Sequence, residues 1–556
     1  MTTSTLSPLY QPAGSGEREP DPLGDPATRP GISGVAYDTA WLAGMPAPTD
    51  RRSSRFPTAL RWLVDNQLSD GSWGSSVRYE HDRILCTLAA LAPLAEFGRH
   101  AEERRAVEAG TRYLWQHGHL LSSEPVELVG FELLVPSLVQ RARAAGVAVP
   151  PHLDIYARQR AQKLDLIPHE AMYSPRATIV HSLEFLGDQA DLAGLEAALG
   201  QNGALGNSPA ATAFYLTLTQ SNNPQALDYL NSCMGRGGNG ATAPVLHPCD
   251  TFELLWAAYH LYVGGAPSRG ILRATERRRL LADLARSGVS LSRTFPIPDA
   301  DDTAVALLLM HDLGERVDPR VLQPFEAADG SFVSFPYERH SSVGVNAHVL
   351  HTLTRVPGYP DANRAIERIL TYLIDQHTGL YWIDKWHISP LYATAHVLAA
   401  LENLPPEHRG RVEELIDRSR EWLRQSQNAD GSWGFYGQAT AEETAYGLLA
   451  LAGNREINDR DRAQCAAAAR FLKLKRRENI AHPPLWIDKC LYIPPLVVNA
   501  AIDGALTAWN KRVARKVTRV SPDSLPPYRY SLSHARADAR PTNRRRAHAS
   551  VVSRNN

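Results

Sequence analysis

The chain has 556 residues, and its 59 lysines and arginines balance 59 aspartates and glutamates. A formal charge of zero gives no global pull toward nucleic acid. With 44% hydrophobic residues it can bury large cores, which excludes a disordered or fibrous protein, and its length suits two or three domains.

Residues 1–30 are rich in Pro, Gly, Ser and charge, so they are expected to be disordered, and they hold no apolar run of the kind a signal peptide needs. From Tyr37 to Ala508 apolar residues recur at three- and four-residue spacing, as in Ile84–Phe97, Phe252–Val263, Thr303–Leu313 and Glu443–Ala452. Alternating β-branched runs are nearly absent, so the predicted architecture is all-α. No run of about 18 apolar residues occurs, so no membrane-spanning helix is expected. Cys86, Cys233, Cys249, Cys465 and Cys490 lie far apart with no CxxC pair. That pattern argues against a disulfide framework or zinc site and implies a reducing, cytoplasmic setting. From Lys511 to Asn556, twelve Lys and Arg stand against two Asp, which reads as a solvated, disordered basic tail.

One punctuation mark recurs along the helical region. Gln67-Leu68-Ser69-Asp70-Gly71-Ser72-Trp73-Gly74 is echoed by Gln427-Asn428-Ala429-Asp430-Gly431-Ser432-Trp433-Gly434. Weaker copies are Asp329-Gly330-Ser331-Phe332, Thr378-Gly379-Leu380-Tyr381-Trp382 and Asn202-Gly203-Ala204-Leu205. Each reads as a helix, a turn in which Gly takes positive φ and Asp bonds the backbone, and an aromatic clamped against the next helix. One helix–turn–helix unit cannot bury its apolar face alone, so the copies must stack in a solenoid or close into a ring.

The segment Pro296-Ile297-Pro298-Asp299-Ala300-Asp301-Asp302-Thr303 directly precedes the apolar run Ala304–Met310. Its acids therefore fall at a helix N-terminus, where one carboxylate suffices for capping. Three are present, and packing like charges raises at least one pKa and keeps a carboxyl able to donate a proton. Protonating an alkene needs such an acid in a dry pocket, with a helix N-terminus to stabilise the carboxylate left behind. The resulting cation needs shielding and aromatic faces. Candidates for those faces are Tyr173, Trp256, Phe335, Tyr337, Trp382, Trp386, Trp433 and Phe435, each of which can equally serve as ordinary core packing.

Several motifs in order resemble class II diterpene cyclases of the copalyl diphosphate synthase type. They are Ala36-Tyr37-Asp38-Thr39-Ala40-Trp41, the block Leu60–Gly74, Gly130-Phe131-Glu132 with Pro136-Ser137-Leu138, Ser208–Ala213, Asp250–Trp256 and the D-x-D-D-T of Asp299–Thr303. The resemblance spans residues 37–495. It implies two α/α double-barrel domains: a β domain of residues 31–53 and 274–508 carrying the acid, and an inserted γ domain of residues 54–273, followed by a tail of residues 509–556. It also implies Asp301 as general acid supported by Asp299 and Asp302, and Glu132 as a ligand to Mg2+. Lys163 and Lys385 would contact the diphosphate. His181 matches the histidine that holds a terminating water in plant ent-copalyl enzymes, while the partner asparagine is replaced by Val245.

The reaction so implied converts geranylgeranyl diphosphate to a bicyclic copalyl (labdadienyl) diphosphate with the diphosphate retained, leaving a class I terpene synthase to act downstream. The D-D-x-x-D motif of class I enzymes is absent. Farnesyl diphosphate, giving drimenyl diphosphate, would need the same acid and anchors. A squalene–hopene-type cyclase shares the acid but not Glu132 and the lysines. A glycosidase would use two separated carboxylates, and a protein prenyltransferase subunit would need an Asp, Cys and His zinc set. A non-catalytic α/α-barrel interaction protein would be indifferent to loss of Asp301. Neither nucleic-acid binding nor an oligomeric state follows from the sequence.

Overall fold

The structure, a computed structural model, describes Leu23 and residues 31–519, apart from 124, 237–239, 268–269, 455–456 and 479–480. The disorder expected of residues 1–30 and of the end of the basic tail concerns, Leu23 aside, residues outside those described. Residues 509–519 belong to the helix Pro495–Arg519, so the helical region runs past residue 508, where the tail is expected to begin.

The sequence repeats fold as copies of one turn. At Trp73 the indole N–H donates to the Leu63 carbonyl at 2.7 Å, and the main-chain N–H donates to Thr87 Oγ1 at 3.1 Å. Trp433 does the same with Leu423 and Thr444, and Trp382 with Leu373 and Thr394. In the weaker copies Phe332 N–H donates to Asn346 Oδ1 and Leu205 N–H to Thr212 Oγ1. Gly71 and Gly431 sit at φ 90° and 91°, and a Cβ there would meet the Ala109 and Ala467 main chains at 2.7 and 2.6 Å. Only glycine meets both demands.

These turns deliver helices in two layers. In the inner layer Asp250–Val263, Ala300–Asp312, Val343–Leu353, Pro390–Leu401 and Ala441–Ala452 are buried along nearly their whole length. Outer helices bury one stripe, as Ala362–Asp375 does with Ala365, Ile366, Ile369, Leu370 and Leu373. The inner helices pack in chain order, and Gly504 closes on the end of Asp250–Val263, where a Cβ on Gly264 would lie 2.3 Å from the Gly504 carbonyl oxygen. A first ring is formed by Ala36–Ala43, Glu80–Phe97, Phe131–Ala144, the 3-10 segment Thr178–Gln189 and Pro209–Thr219, the last packing back on the first.

The architecture is therefore the expected all-α pair of layered helical barrels. Its helix packing divides the chain elsewhere than the sequence reading does. Ala36–Ala43, placed there with residues 274–508, packs on Glu80–Phe97 and Pro209–Thr219, while Asp250–Val263, placed with 54–273, packs on Ala300–Asp312. No helix among the described residues is long and apolar enough to cross a membrane.

The segment of residues 484–493 stitches the two rings together. Toward the second ring, Leu485 O accepts from Ile388 N–H at 3.0 Å, and Ile487 N–H donates to Trp386 O at 2.9 Å. Toward the first, Asp488 O accepts from Val129 N–H at 3.1 Å, and Leu491 N–H donates to Asp82 Oδ1 at 2.8 Å.

Candidate active site

The three acids occupy the first turn of Ala300–Asp312. Asp299 is the N-cap, its Oδ1 accepting from the Asp302 N–H at 2.7 Å. The turn is anchored outside itself, with Ala300 N–H donating to Ser334 O at 2.9 Å and Asp299 N–H to Val289 O at 3.0 Å. Asp299 and Asp302 are buried and each leaves one carboxyl oxygen without a hydrogen bond. Burial first, and then the charge of Asp301, push Asp299 up to about 8. Burial, followed by the charges of Asp299 and Asp301, holds Asp302 well above the usual carboxylate range. Both flanking acids thus favour the neutral form, as the clustering of like charges predicts. Asp301 differs, since its side chain keeps 14% exposure and is the one carboxyl of the three that reaches open space.

Asp301 Oδ1 lies 2.7 Å from His348 Nδ1. The His348 ring is buried and continues to His396, with Nε2 to Nδ1 at 2.8 Å, and His396 Nε2 lies 3.1 Å from His260 Nε2. Burial, then the neighbouring imidazoles, push His260 down to about 3 and His396 well below the usual histidine range. Aromatic rings pack round this chain. Trp256 lies 4.5 Å from His348 between ring centres, Tyr259 5.0 Å from it, and Tyr392 4.3 Å from His396. Trp486 adjoins both Trp256 and Tyr392.

Of the aromatic candidates in the sequence, Trp256 alone stands beside the acid's partner. Trp382 and Trp433 are buried turn clamps, while Tyr337 is 96% and Phe435 40% exposed, so neither of these two is shielded from water. Trp386 donates its indole N–H to Ser334 Oγ at 3.0 Å, next to the acid's turn, and Tyr173 OH accepts from Asp191 N–H.

The other predicted residues fall into three groups. Lys385 Nζ bonds Glu338 Oε2 at 2.9 Å and the His340 carbonyl at 2.7 Å. Glu338 also accepts from Ser334 N–H, so Lys385 joins the network that holds Ala300. Lys163 Nζ pairs with Glu132 Oε1, bringing the predicted diphosphate and metal residues together. Partial desolvation and then the Glu132 charge raise the Glu127 carboxyl nearby.

His181 is the third. Its Nδ1 lies 2.9 Å from Gly206 O and its Nε2 3.1 Å from Asp488 Oδ1. Burial works against the Asp488 carboxylate, yet His181 and Lys489 hold it below its ordinary value. Both His181 nitrogens face acceptors, so with both bonds formed the ring has no lone pair to offer. Lys489 is fully buried, donating to Glu184 Oε1 at 2.8 Å, Ser208 Oγ at 2.6 Å and His181 O at 3.0 Å. Tyr37 OH donates to Glu184 at 3.0 Å, and Asp38 Oδ1 accepts from Ala210 N–H, so the Ala36–Trp41 motif ends in this cluster. Val245 is fully buried.

Two four-residue echoes in the sequence carry residues that motif reading alone misses. Ala347-His348-Val349-Leu350 recurs as Ala395-His396-Val397-Leu398, and Trp382-Ile383-Asp384-Lys385 as Trp486-Ile487-Asp488-Lys489. Each echo places a functional-looking polar group at one turn of the repeat and its counterpart at another.

Comparison with known proteins places this geometry. Residues 337–474 match the squalene-hopene cyclase C-terminal domain. The chain is 32% identical over 503 residues to the type B diterpene cyclase of Mycobacterium tuberculosis, covering 86% of this chain and 95% of that one. It is 34% identical over 529 residues to the labda-7,13-dienyl diphosphate synthase of Streptomyces clavuligerus, covering 88% and 91%. The structure of ent-copalyl diphosphate synthase from Streptomyces platensis matches with a TM-score of 0.70 at 28% identity, over 86% of this chain and 96% of that one. The chain belongs to the class II diterpene cyclase family of copalyl-diphosphate-synthase-like enzymes, and is a terpene cyclase of the isomerase class.

Proposed function

We propose that the protein converts geranylgeranyl diphosphate to a bicyclic labdadienyl (copalyl-type) diphosphate, with Asp301 as the general acid and the diphosphate retained. The observation that carries this reading is the asymmetry of the aspartate run: two buried acids that favour the neutral form flank one partly exposed carboxyl bonded to a buried histidine. The diterpene relatives favour a twenty-carbon substrate over farnesyl diphosphate.

His348 Nδ1–H on Asp301 Oδ1 leaves the other carboxyl oxygen to carry the proton to the terminal alkene. The donated hydrogen bond and the helix N-terminus both stabilise the carboxylate that results, which strengthens the acid. Trp256, Tyr259, Tyr392 and Trp486 place aromatic faces near the developing cation. Holding the polyene folded supplies the proximity that closure of two rings needs.

Lys163 and Lys385 would anchor the diphosphate. Glu132, with Glu127 beside it, is an incompletely neutralised acidic pair that fits a magnesium ion bound through carboxylates and substrate oxygens. Bound there, magnesium would neutralise the diphosphate. We assign removal of the final proton to the Asp488 carboxylate, acting through water, with His181 donating to it from Nε2 and holding it in place.

The test incubates purified protein and magnesium with geranylgeranyl and farnesyl diphosphates separately, then dephosphorylates and identifies the products. A bicyclic alcohol from geranylgeranyl diphosphate, seen only after phosphatase, is the expected result. Unchanged prenyl alcohols from both substrates overturn the proposal. A cyclised hydrocarbon formed without phosphatase overturns retention of the diphosphate, and a product from farnesyl diphosphate alone overturns the chain length.

A further inference from the structure

Asp301 has a counterpart elsewhere in the second ring. Asp299 caps Ala300–Asp312 and Asp301 is the second residue of that helix, while Thr440 caps Ala441–Ala452 and Glu442 is its second residue. Each is an acid in the first turn of an inner helix, where free N–H groups favour a negative charge. The two differ in access. Asp301 keeps 14% side-chain exposure, whereas Glu442 is fully buried and does not touch substrate.

Glu442 ends instead on an aromatic ring. Its Oε1 accepts from Trp486 Nε1–H at 2.7 Å, from the Tyr446 hydroxyl at 3.0 Å and from His387 Nε2 at 3.3 Å. Ser389 N–H donates to His387 Nδ1 at 3.0 Å, so the neutral ring carries its proton on Nε2, facing Glu442. Three donors converging on one oxygen suit a carboxylate. Among the described residues no lysine or arginine pairs with Glu442, and its Oε2 is buried without a hydrogen bond. Trp73, Trp382 and Trp433 satisfy their indole N–H groups with main-chain carbonyls. A ring needed only for packing would be served as well by such an acceptor, without the cost of burying a charge.

We propose that Glu442 is a positioning residue whose buried negative charge acts through the Trp486 indole to stabilise the carbocations of ring closure. The inference rests on the cyclase reading given above.

Trp486 is placed to transmit that charge. It belongs to the segment that stitches the rings, and its own ring lies 5.1 Å from Tyr392, 5.5 Å from Phe252 and 6.2 Å from Trp256. Trp256 in turn packs on His348, the partner of Asp301. A carboxylate on the N–H polarises the indole and raises the electron density of its face, which then attracts a cation more strongly. The same bond fixes the plane of the ring. In a low-dielectric interior the charge also reaches further than it would in water. The neutral polyene gains nothing from either effect, so the benefit falls on the chemical step and not on substrate binding.

The experiment measures kcat, KM and product composition with geranylgeranyl diphosphate for the native chain, Glu442→Gln, Trp486→Phe and the double variant, beside their melting temperatures. Glutamine keeps the shape and an acceptor for the indole but removes the charge. Glu442→Gln should lower kcat about three- to thirtyfold, with KM within about twofold of native. A monocyclic product, from proton loss before the second closure, should appear. In the Trp486→Phe background the same substitution should change kcat by less than about twofold. Native turnover and products from Glu442→Gln overturn the proposal, as does a loss of equal size in the Trp486→Phe background. A lowered melting temperature with the native product mixture also overturns it, because Glu442 would then serve the fold alone. Should Glu442→Gln fail to fold, Trp486→Phe decides, since it removes the N–H that the carboxylate holds and leaves an aromatic face. Slower turnover with monocyclic product from that variant supports the proposal, and native behaviour overturns it. A native chain that cyclises neither prenyl diphosphate removes the cyclase reading itself, an outcome distinct from a cyclising chain indifferent to Glu442.

Discussion

The hydroxyl of Thr303 accepts a hydrogen bond from the main-chain N–H of Val289 at 2.9 Å. This is the same contact that Thr87, Thr394 and Thr444 make with Trp73, Trp382 and Trp433. Gly288, at φ 106°, stands directly before Val289, where Gly71 and Gly431 stand two residues before Trp73 and Trp433. The threonine of D-x-D-D-T is thus the repeat's helix-start hydroxyl, and it orients the acids by fixing the turn they stand on. Thr303→Ser should keep activity close to native. Thr303→Val should lose about 1–3 kcal/mol of stability by stranding the buried Val289 N–H, read by denaturant unfolding. Equal stability for the two variants would contradict the assignment.

His348 should matter to the chemical step and not to substrate binding. His348→Ala is expected to lower kcat by about a hundredfold or more with a small change in KM, because a positioned hydrogen-bond partner of the acid is lost. Steady-state kinetics of the variant beside native protein measure this, and a rise in KM with kcat preserved would be inconsistent with it.

The pH dependence has a definite sign at Asp299. Its folded value near 8 lies above the ordinary aspartate value of about 3.9. The folded chain therefore holds a proton that the unfolded chain releases, and this contribution is complete below about pH 4 and lost as pH rises through about 8. Asp38, raised to about 7 by burial, slopes the same way. Melting temperature should fall across that window, and Asp299→Asn should flatten the fall. Turnover should also decline above about pH 8, where ionised Asp299 adds negative charge beside Asp301.

The two W-I-D-K copies should respond differently to loss of their lysines. Lys489→Met breaks a fully buried pair with Glu184 and should cost about 3–5 kcal/mol. Lys385 is a quarter exposed in its pair with Glu338, so Lys385→Ala should cost about 1 kcal/mol or less. If Lys385 anchors the diphosphate, its loss should instead raise KM about tenfold. Paired unfolding and kinetic measurements on both variants check this.

Chelation by EDTA should abolish turnover, and added magnesium should restore it. Glu132→Gln should shift the magnesium dependence of the rate to higher concentration while kcat at saturation changes less. A magnesium titration unchanged by the substitution would remove Glu132 from the metal's surroundings.

Much of the fold is legible because it is local. Three- and four-residue apolar spacing makes the helices, and each D-G-S-W turn is set by glycine's access to positive φ and a carboxylate two residues from the N–H it accepts, as Asp70 does with Ser72. The aspartate run is legible for the same reason, since capping and mutual repulsion act within one turn of helix. Tertiary structure alone decides which acid is partly exposed, that His348 is its partner, and that His181 has both nitrogens engaged. Those facts depend on side chains far apart in sequence, such as Asp301 with His348 and His181 with Asp488. Their energies come from burial, which raises or lowers a proton affinity only once the rings have closed around the groups. The division of the chain is of the same kind, because Ala36–Ala43 joins the first ring through contacts made only in the closed fold.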